Sequence, residues 1–198
     1  LIKNLNINID VSYTSFLKRA IKTLTTILQE NNLELKFNTS WELNERHYGS
    51  LTGLNKKETR NKIGEDQFGK YRRSWDIPPP PMADNDKNQS LFSPLNESIP
   101  AGMIPFTESL KDTYERVIPY YEKEIQKNIQ GNKNVLISAH GNSIRALCKY
   151  LFNISNQKIN ELKIPTGNPL IIKFDNNLKI KEYNYLDETR AKTIIFNQ

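Results

Sequence analysis

The chain has 198 residues, 28 Lys and Arg against 22 Asp and Glu, a formal charge of +6 and one cysteine. That is enough for one domain with a buried core, whereas no apolar run reaches the length a bilayer requires and a lone cysteine excludes an intrachain disulfide and fits a reducing compartment. The positive charge points to an anionic partner, but the lysines are scattered and no basic run is interleaved with aromatics, which argues against nucleic acid and for small phosphorylated molecules.

Leu1-Ile-Lys-Asn has no initiator Met and no signal-peptide pattern. It reads as the end of an element already under way, and we expect further sequence upstream. Ile7 to Ser12 alternates and predicts a short strand. Thr14 or Ser15 then caps a helix over Phe16 to Gln29, whose stripe of Ala20, Ile21, Leu24, Ile27 and Leu28 packs into the core. Arg19 sits in the first turn, against the helix dipole, a placement that a nearby anion would explain. Leu33 to Phe37 predicts a second short strand. Trp41 to Gly49 crowds Glu45, Arg46, His47 and Tyr48 into a stretch with little apolar content, which reads as a loop. Glu45 suits a general acid or base and Tyr48 a hydroxyl donor; a surface loop with local salt bridges is the competing reading.

Lys56 begins a polar, helix-prone segment running toward Lys70. Arg72 and Arg73 follow between aromatics, as either a two-point clamp for an anion or a solvated pair. Pro78 to Pro81 stops any helix, and residues 77–106 predict a surface excursion, a lid or an oligomer contact. Thr107-Glu-Ser-Leu opens a helix that runs to about Ile129 and that Pro119 should kink. After Gly131, the apolar run Val135 to Ala139 predicts a strand that delivers His140-Gly-Asn-Ser143 to the start of the next helix. Unpaired N–H groups at such a helix start attract anions, so His140, Gly141 and Asn142 form a candidate phosphate site. Cys148 lies on an apolar helix face and reads as a core thiol. A short helix over Ser155 to Leu162, a turn at Ile164 to Pro169 and strands at Leu170 to Phe174 and Ile180 to Tyr185 complete the pattern. Residues 187–198 predict a mobile tail. There is no internal repeat and no second domain, so residues 1–198 read as a single α/β unit.

The two histidines, His47 and His140, lack metal-ligand company, and no P-loop, nucleophile elbow or dinucleotide fingerprint occurs. What remains is histidine, glutamate and arginines, in loops or at the C-terminal ends of strands, where open α/β sheets bind ligands. That set suits phosphoryl transfer: arginines neutralise phosphate, a carboxylate moves a proton, and histidine donates to or attacks phosphorus.

Tyr13-Thr-Ser-Phe-Leu-Lys-Arg-Ala20, Leu43-Asn-Glu-Arg-His-Tyr-Gly49, Gly53-Leu-Asn-Lys56, Tyr71-Arg-Arg-Ser74, Pro105 to Asp112, Ser138-Ala-His-Gly-Asn-Ser143 and Ile164-Pro-Thr-Gly167 occur in order and at fitting separations. Together they resemble the cofactor-dependent phosphoglycerate mutases of the histidine phosphatase superfamily, from about residue 5 to 186. The resemblance implies a three-layer αβα sandwich with a mostly parallel central sheet. It implies interconversion of 3-phosphoglycerate and 2-phosphoglycerate through a phosphohistidine, with 2,3-bisphosphoglycerate as primer and no metal, in a cytoplasmic homodimer or homotetramer. By motif, Glu45 becomes the general acid and base, and Arg19 and His140, with Gly141 and Asn142, bind the transferring phosphoryl group. Tyr48, Lys56, Arg72 and Arg73 hold the carboxylate and the second phosphate, and His47 has a supporting role.

The family's phosphorylated histidine belongs to an L-x-R-H-G-x-S segment that this sequence does not carry. We expect that segment, with a strand central to the sheet, upstream of Leu1, and we expect residues 1–198 alone to be inactive. Smaller departures are Thr52 for the usual Gln, Tyr71 for Trp and a tail without the usual glycine. The alternatives are a non-catalytic phosphate-binding homologue, or a bisphosphoglycerate phosphatase or synthase on the same site.

Overall fold

The computed structural model describes residues 1–5, 7–34, 36–83, 99–100, 102–191 and 194. Strand β1 (Val11–Thr14) lies between β2 (Asn38–Thr39) and β3 (Val135–Ser138), parallel to both, with Tyr13 opposite Asn38 and Thr14 opposite Ser138. Parallel neighbours need long crossovers. Helix α1 (Lys18–Glu30) supplies the first. A second sheet, antiparallel, joins β4 (Leu170–Phe174) to β5 (Ile180–Tyr185), with Leu170 opposite Tyr185. Among the described residues β3 is paired to β1 alone and β4 to β5 alone.

Side chains alternate across the parallel sheet and so define its two faces. Tyr13 packs into one apolar cluster with Val117, Ile118, Ile125, Ala146 and Leu147, and Ile137 of β3 lies against the same cluster. On the opposite face, the hydroxyl of Ser138 donates to the carbonyl of Ala20 in α1. The layers are therefore helix, sheet, helix. The helices on the Tyr13 face are α4 (Leu110–Tyr120) and α6 (Gly141–Leu151), with a short α5 (Gln126–Gln130) beyond α4. A second cluster, around Leu110, Cys148, Ile159 and Tyr185, ties the antiparallel hairpin to α4 and α6, and burial pushes the Cys148 thiol up to about 12.

Several elements differ from the sequence reading, each for a physical reason. The helix α1 begins at Lys18 without a side-chain cap, because the Ser15 hydroxyl is held by His140 and reaches no backbone N–H beyond that of Leu17. The second strand is the pair Asn38–Thr39, just beyond the stretch expected, since only there does the chain come alongside Tyr13 and Thr14. The polar helix splits into α2 (Lys56–Ile63) and α3 (Glu65–Arg73) at Gly64, whose φ of +83° ends one helix in a conformation other residues avoid. The helix expected to run past Pro119 does so. Pro119 lacks the N–H of a normal turn, and the chain continues through a wide π-turn at Tyr121–Ile125 before α5.

The expected surface excursion starts exposed at Ile77 and Pro78 and continues as a strap tied to the body at two side chains. Pro79 and Met82 are buried, the Pro80 carbonyl accepts from the Ser50 N–H at 2.9 Å, and Met82 N–H bonds to the Phe106 carbonyl. Residues 84–98 of that excursion lie outside the described residues. Of the tail expected at 187–198, residues 192–193 and 195–198 lie outside the described residues. Leu186 N–H bonds to the Pro169 carbonyl, Arg190 donates to the Thr166 carbonyl, and Ile194 is buried.

The strap explains Gly49. Its φ is +54°, and a Cβ there would stand 2.1 Å from the Pro80 oxygen and 2.9 Å from the Thr107 hydroxyl. Gly49→Ala should destabilise the fold by about 2 to 5 kcal/mol, from backbone strain plus overpacking. Urea denaturation reads this as a lower midpoint at unchanged slope; an unaltered midpoint would count against the strap.

Candidate active site

Parallel register brings the C-terminal ends of β1 and β3 together, and the residues that follow them meet. The Ser15 oxygen lies 2.7 Å from His140 Nε2, and Arg19 donates its Nε–H to His140 Nδ1 at 3.0 Å. A guanidinium has only donors, so Nδ1 must be bare and Nε2 must carry the ring proton, which it donates to Ser15. The ring is neutral. Burial pushes its pKa down to about 4, and the Arg19 charge adds to the depression, while Glu45 opposes it. Ser143 fixes the backbone beneath, accepting the His140 N–H and donating to the His140 carbonyl.

His140 ends in α6, which starts at Gly141. No atom lies within 4 Å of where a Gly141 side chain would begin, so the space above the helix start is open. Glu45 occupies part of this helix N-terminus: its Oε1 accepts from the Asn142 backbone N–H at 3.3 Å, from Asn142 Nδ2 at 2.9 Å and from the Arg46 N–H at 2.9 Å. Asn142 Nδ2 also donates to the Tyr48 hydroxyl at 2.8 Å. One amide thus bridges the carboxylate and the phenol.

A cavity of about 410 Å³ opens beside these groups, lined by Arg19, Glu45, Tyr48, Lys56 and Arg72 among others. Lys56 is the first residue of α2, held by an Asn55 side chain that accepts two N–H groups of that helix. Arg72 lies near the end of α3 with its guanidinium 5.0 Å from the centre of the Tyr48 ring, and Arg46 lies 4.6 Å from it. Arg73 points elsewhere, toward the Asn160 carbonyl at 3.5 Å, so the two adjacent arginines divide and Arg72 alone lines the cavity. A larger open groove of about 1270 Å³ runs past Glu42, Asp112, Glu115 and Glu124. Its carboxylates outnumber its cations, Arg116 and Lys123, whereas the smaller cavity sets four arginines and Lys56 against Glu45 and Glu108, which makes the smaller cavity the candidate anion site.

Four supporting residues escape a reading of the sequence. Arg116 of α4 donates to both oxygens of Glu108 and to the carbonyls of Trp41, Glu42, Asn44 and Glu45, so it holds the whole loop that carries Glu45. Glu108 in turn accepts the His47 N–H at 2.7 Å. Arg46 is buried, donates to the Tyr71 and Arg72 carbonyls at the end of α3, and leaves Nε and Nη1 without a hydrogen-bond partner among the described residues. Arg145 contacts Asn142 from behind. The available signal was modest: a charged residue beside the apolar stripe of α4, and an arginine three places after Asn142. His47 is buried, its Nδ1 accepts the Gly49 N–H, and burial lowers its pKa.

The geometry can now be set beside known proteins. The family model of the histidine phosphatase superfamily (branch 1) matches residues 2–185. The chain belongs to the histidine phosphatase superfamily. It is 53% identical over 197 residues to a 2,3-bisphosphoglycerate-dependent phosphoglycerate mutase of Pelagibacter ubique, covering 98% of this chain and 82% of that relative. It is 46% identical over 188 residues to the enzyme of the same description from Treponema denticola, covering 94% and 76%. Among solved structures it is similar in fold to Bacillus stearothermophilus YhfR (TM-score 0.63, 17% identity, 90% of this chain and 74% of the other). It is also similar to a mycobacterial glucosyl-3-phosphoglycerate phosphatase (TM-score 0.57, 17% identity, 89% and 76%). These confirm the α/β architecture of the superfamily.

The neutral His140 ring gives the superfamily site a measurable acid response. Its folded pKa of about 4 lies below the roughly 6.5 of an exposed histidine, so the unfolded chain takes up the proton first as pH falls. The stabilisation is complete above the unfolded value and is lost progressively as pH falls toward the folded one. Between pH 7 and 4.5 wild type should lose roughly 2 to 3 kcal/mol more than His140→Gln. Denaturant midpoints at the two pH values measure this, and equal losses would mean that the folded ring is not held neutral.

Proposed function

We propose that this protein interconverts 3-phosphoglycerate and 2-phosphoglycerate by phosphoryl transfer, primed by 2,3-bisphosphoglycerate. The observation that carries the reading is the single Asn142 amide that joins Glu45 to Tyr48 beside the Arg19–His140 pair. It places a proton acceptor next to a phosphate-binding group, as moving a phosphoryl group between two hydroxyls of one small molecule requires. The description of the two relatives supports the same choice over a simple phosphatase.

In the proposed cycle a phosphohistidine gives its phosphoryl group to the 2-hydroxyl of 3-phosphoglycerate. Glu45 takes the hydroxyl proton, and 2,3-bisphosphoglycerate forms. The bisphosphate turns over in the site and returns its 3-phosphoryl group to the histidine; Glu45 gives the proton back to the 3-oxygen, and 2-phosphoglycerate leaves. Arg19 and His140 neutralise the phosphoryl group in flight, and the open N-terminus at Gly141 and Asn142 faces it. Tyr48, Lys56 and Arg72 hold the carboxylate and the resting phosphate, and Arg73 adds charge nearby. The contribution is positioning plus electrostatic stabilisation. As the family resemblance implies, the phosphoryl carrier is a histidine outside residues 1–198, a reading that the hydrogen bonds on both His140 ring nitrogens support. The same reading implies a cytoplasmic enzyme acting as a homodimer or homotetramer.

Assay of the full-length protein with 3-phosphoglycerate should show turnover that depends strongly on added bisphosphoglycerate and releases little inorganic phosphate. Primer-independent phosphate release would instead identify a phosphatase. Glu45→Gln should remove most of the turnover, about 10²-fold or more, while phosphohistidine remains detectable by ³¹P NMR. Residues 1–198 expressed alone should not turn over; activity there would place the carrier on His47 or His140.

A further inference from the structure

An asparagine side chain can face a carboxylate in two ways, and only one is attractive. Here Asn142 turns Nδ2 toward Glu45 Oε1 and the Tyr48 hydroxyl. Rotated by half a turn, the amide would set Oδ1 against a carboxylate oxygen, acceptor against acceptor. Tyr48 does not choose between the two, because a phenol can also donate, so Glu45 alone on this side opposes the flip.

The constraint comes from the far side. Arg145, three residues on along α6 and so on the same helix face, donates its Nη1–H to Asn142 Oδ1 at 2.6 Å. A guanidinium has no acceptor, so Oδ1 is the one amide atom it can bind. Arg145 is itself fixed, because Nε and Nη2 both donate to the Leu162 carbonyl, at 3.1 and 3.0 Å. Three bonds from one planar group determine its plane, and that plane determines the amide. Arg145 does not line the cavity. A lysine at this position is a point donor and could serve Oδ1 or Leu162, but not hold a plane between them.

We infer that Arg145 is a positioning residue for proton transfer at Glu45: by binding Oδ1 it locks Asn142 with its N–H groups toward Glu45 and Tyr48. This rests on the mutase reading of the site. It extends the machinery one layer outward, to the Leu162 carbonyl in the segment before the turn at 164–169.

The test uses the full-length protein and five forms of it: wild type, Arg145→Met, Arg145→Lys, Asn142→Ala and the Arg145→Met/Asn142→Ala double variant. Arg145→Met should lower kcat roughly tenfold, the scale of one charge-assisted hydrogen bond, with KM for 3-phosphoglycerate changed by less than about twofold. Arg145→Lys should recover part of the loss. The double variant should be no slower than Asn142→Ala, because Arg145 acts through that amide. Losses that multiply in the double variant, or wild-type kinetics in Arg145→Met, would overturn the inference. If Arg145→Met does not fold, the same cycle built on Arg145→Lys decides it. ¹⁵N NMR of the Asn142 side-chain NH₂ pair gives a reading independent of turnover. The two resonances should lie apart in wild type and move toward free-amide positions when Arg145 is replaced; an unmoved pair would refute the lock. A wild type with no mutase activity would sink the functional reading and leave the NMR result to decide the lock.

Discussion

The site depends on a buried ion pair, Arg116 with Glu108. Their side chains are 9% and 5% exposed, so both charges have left water, at a penalty of several kcal/mol each. Such a pair stands only if every remaining donor and acceptor is used. Here they are. Arg116 spends its donors on both Glu108 oxygens and on four loop carbonyls, those of Trp41, Glu42, Asn44 and Glu45, and Glu108 receives the His47 N–H besides. The Trp41 to Glu45 segment has almost no apolar side chain to pack, with Leu43 the one that is fully buried. Its backbone is therefore held by charge rather than by core. Removing either partner would strand the other charge and release the loop that carries Glu45 and Tyr48.

From this anchor the order passes to the reacting groups. Glu45 is held at the N-terminus of α6, and α6 is held against α4, the helix that carries Arg116. The sheet fixes the other half: parallel pairing of β1 with β3 sets Ser15 against His140, and α1, starting just after, supplies Arg19. Two independent devices, a buried charge pair and a sheet register, thus converge on one cavity. A link between the halves is the Phe16 N–H donating to the Asn44 side chain, which joins the turn after β1 to the Arg116-held loop.

Much of this was legible in the sequence, and the rest was hidden for definable reasons. His140, Glu45, Tyr48, Asn142 and Arg19 stand in loops or at element ends, where polar residues without an apolar period invite a functional reading. The helical stripes of α1, α4 and α6 are periodic over several turns and were readable for the same reason. The strand at Asn38–Thr39 was displaced because two residues carry no period and their place is set by Tyr13 and Thr14. Arg116 and Arg145 were invisible because each lies inside a helix, where an arginine ordinarily marks a solvated face; only the third dimension shows what their forks grip. The strap at Pro79 to Met82 leaves Pro80 and Pro81 exposed, as a surface excursion does, but a run of prolines does not reveal that Pro79 and Met82 are buried. What decides is Gly49, whose missing side chain admits the Pro80 carbonyl.

The helix start after His140 shows how the structure refines a correct first idea. Unpaired N–H groups there favour negative charge, and from sequence the natural occupant is a phosphate. In the fold part of that seat is taken by the chain's own carboxylate, Glu45, bound to the Asn142 backbone and side chain. The consequence is a division of labour. On the proposed function, a phosphoryl group placed on the same N–H groups would meet Glu45 as a like charge, so Arg19 and the neutral His140 ring would carry most of it. An incoming dianion reverses both influences on that ring: it draws Arg19 away from Nδ1 and favours a proton there. On that proposal, binding of phosphate and protonation of His140 are coupled, while Glu45, held by the Asn142 amide, remains available to the substrate hydroxyl.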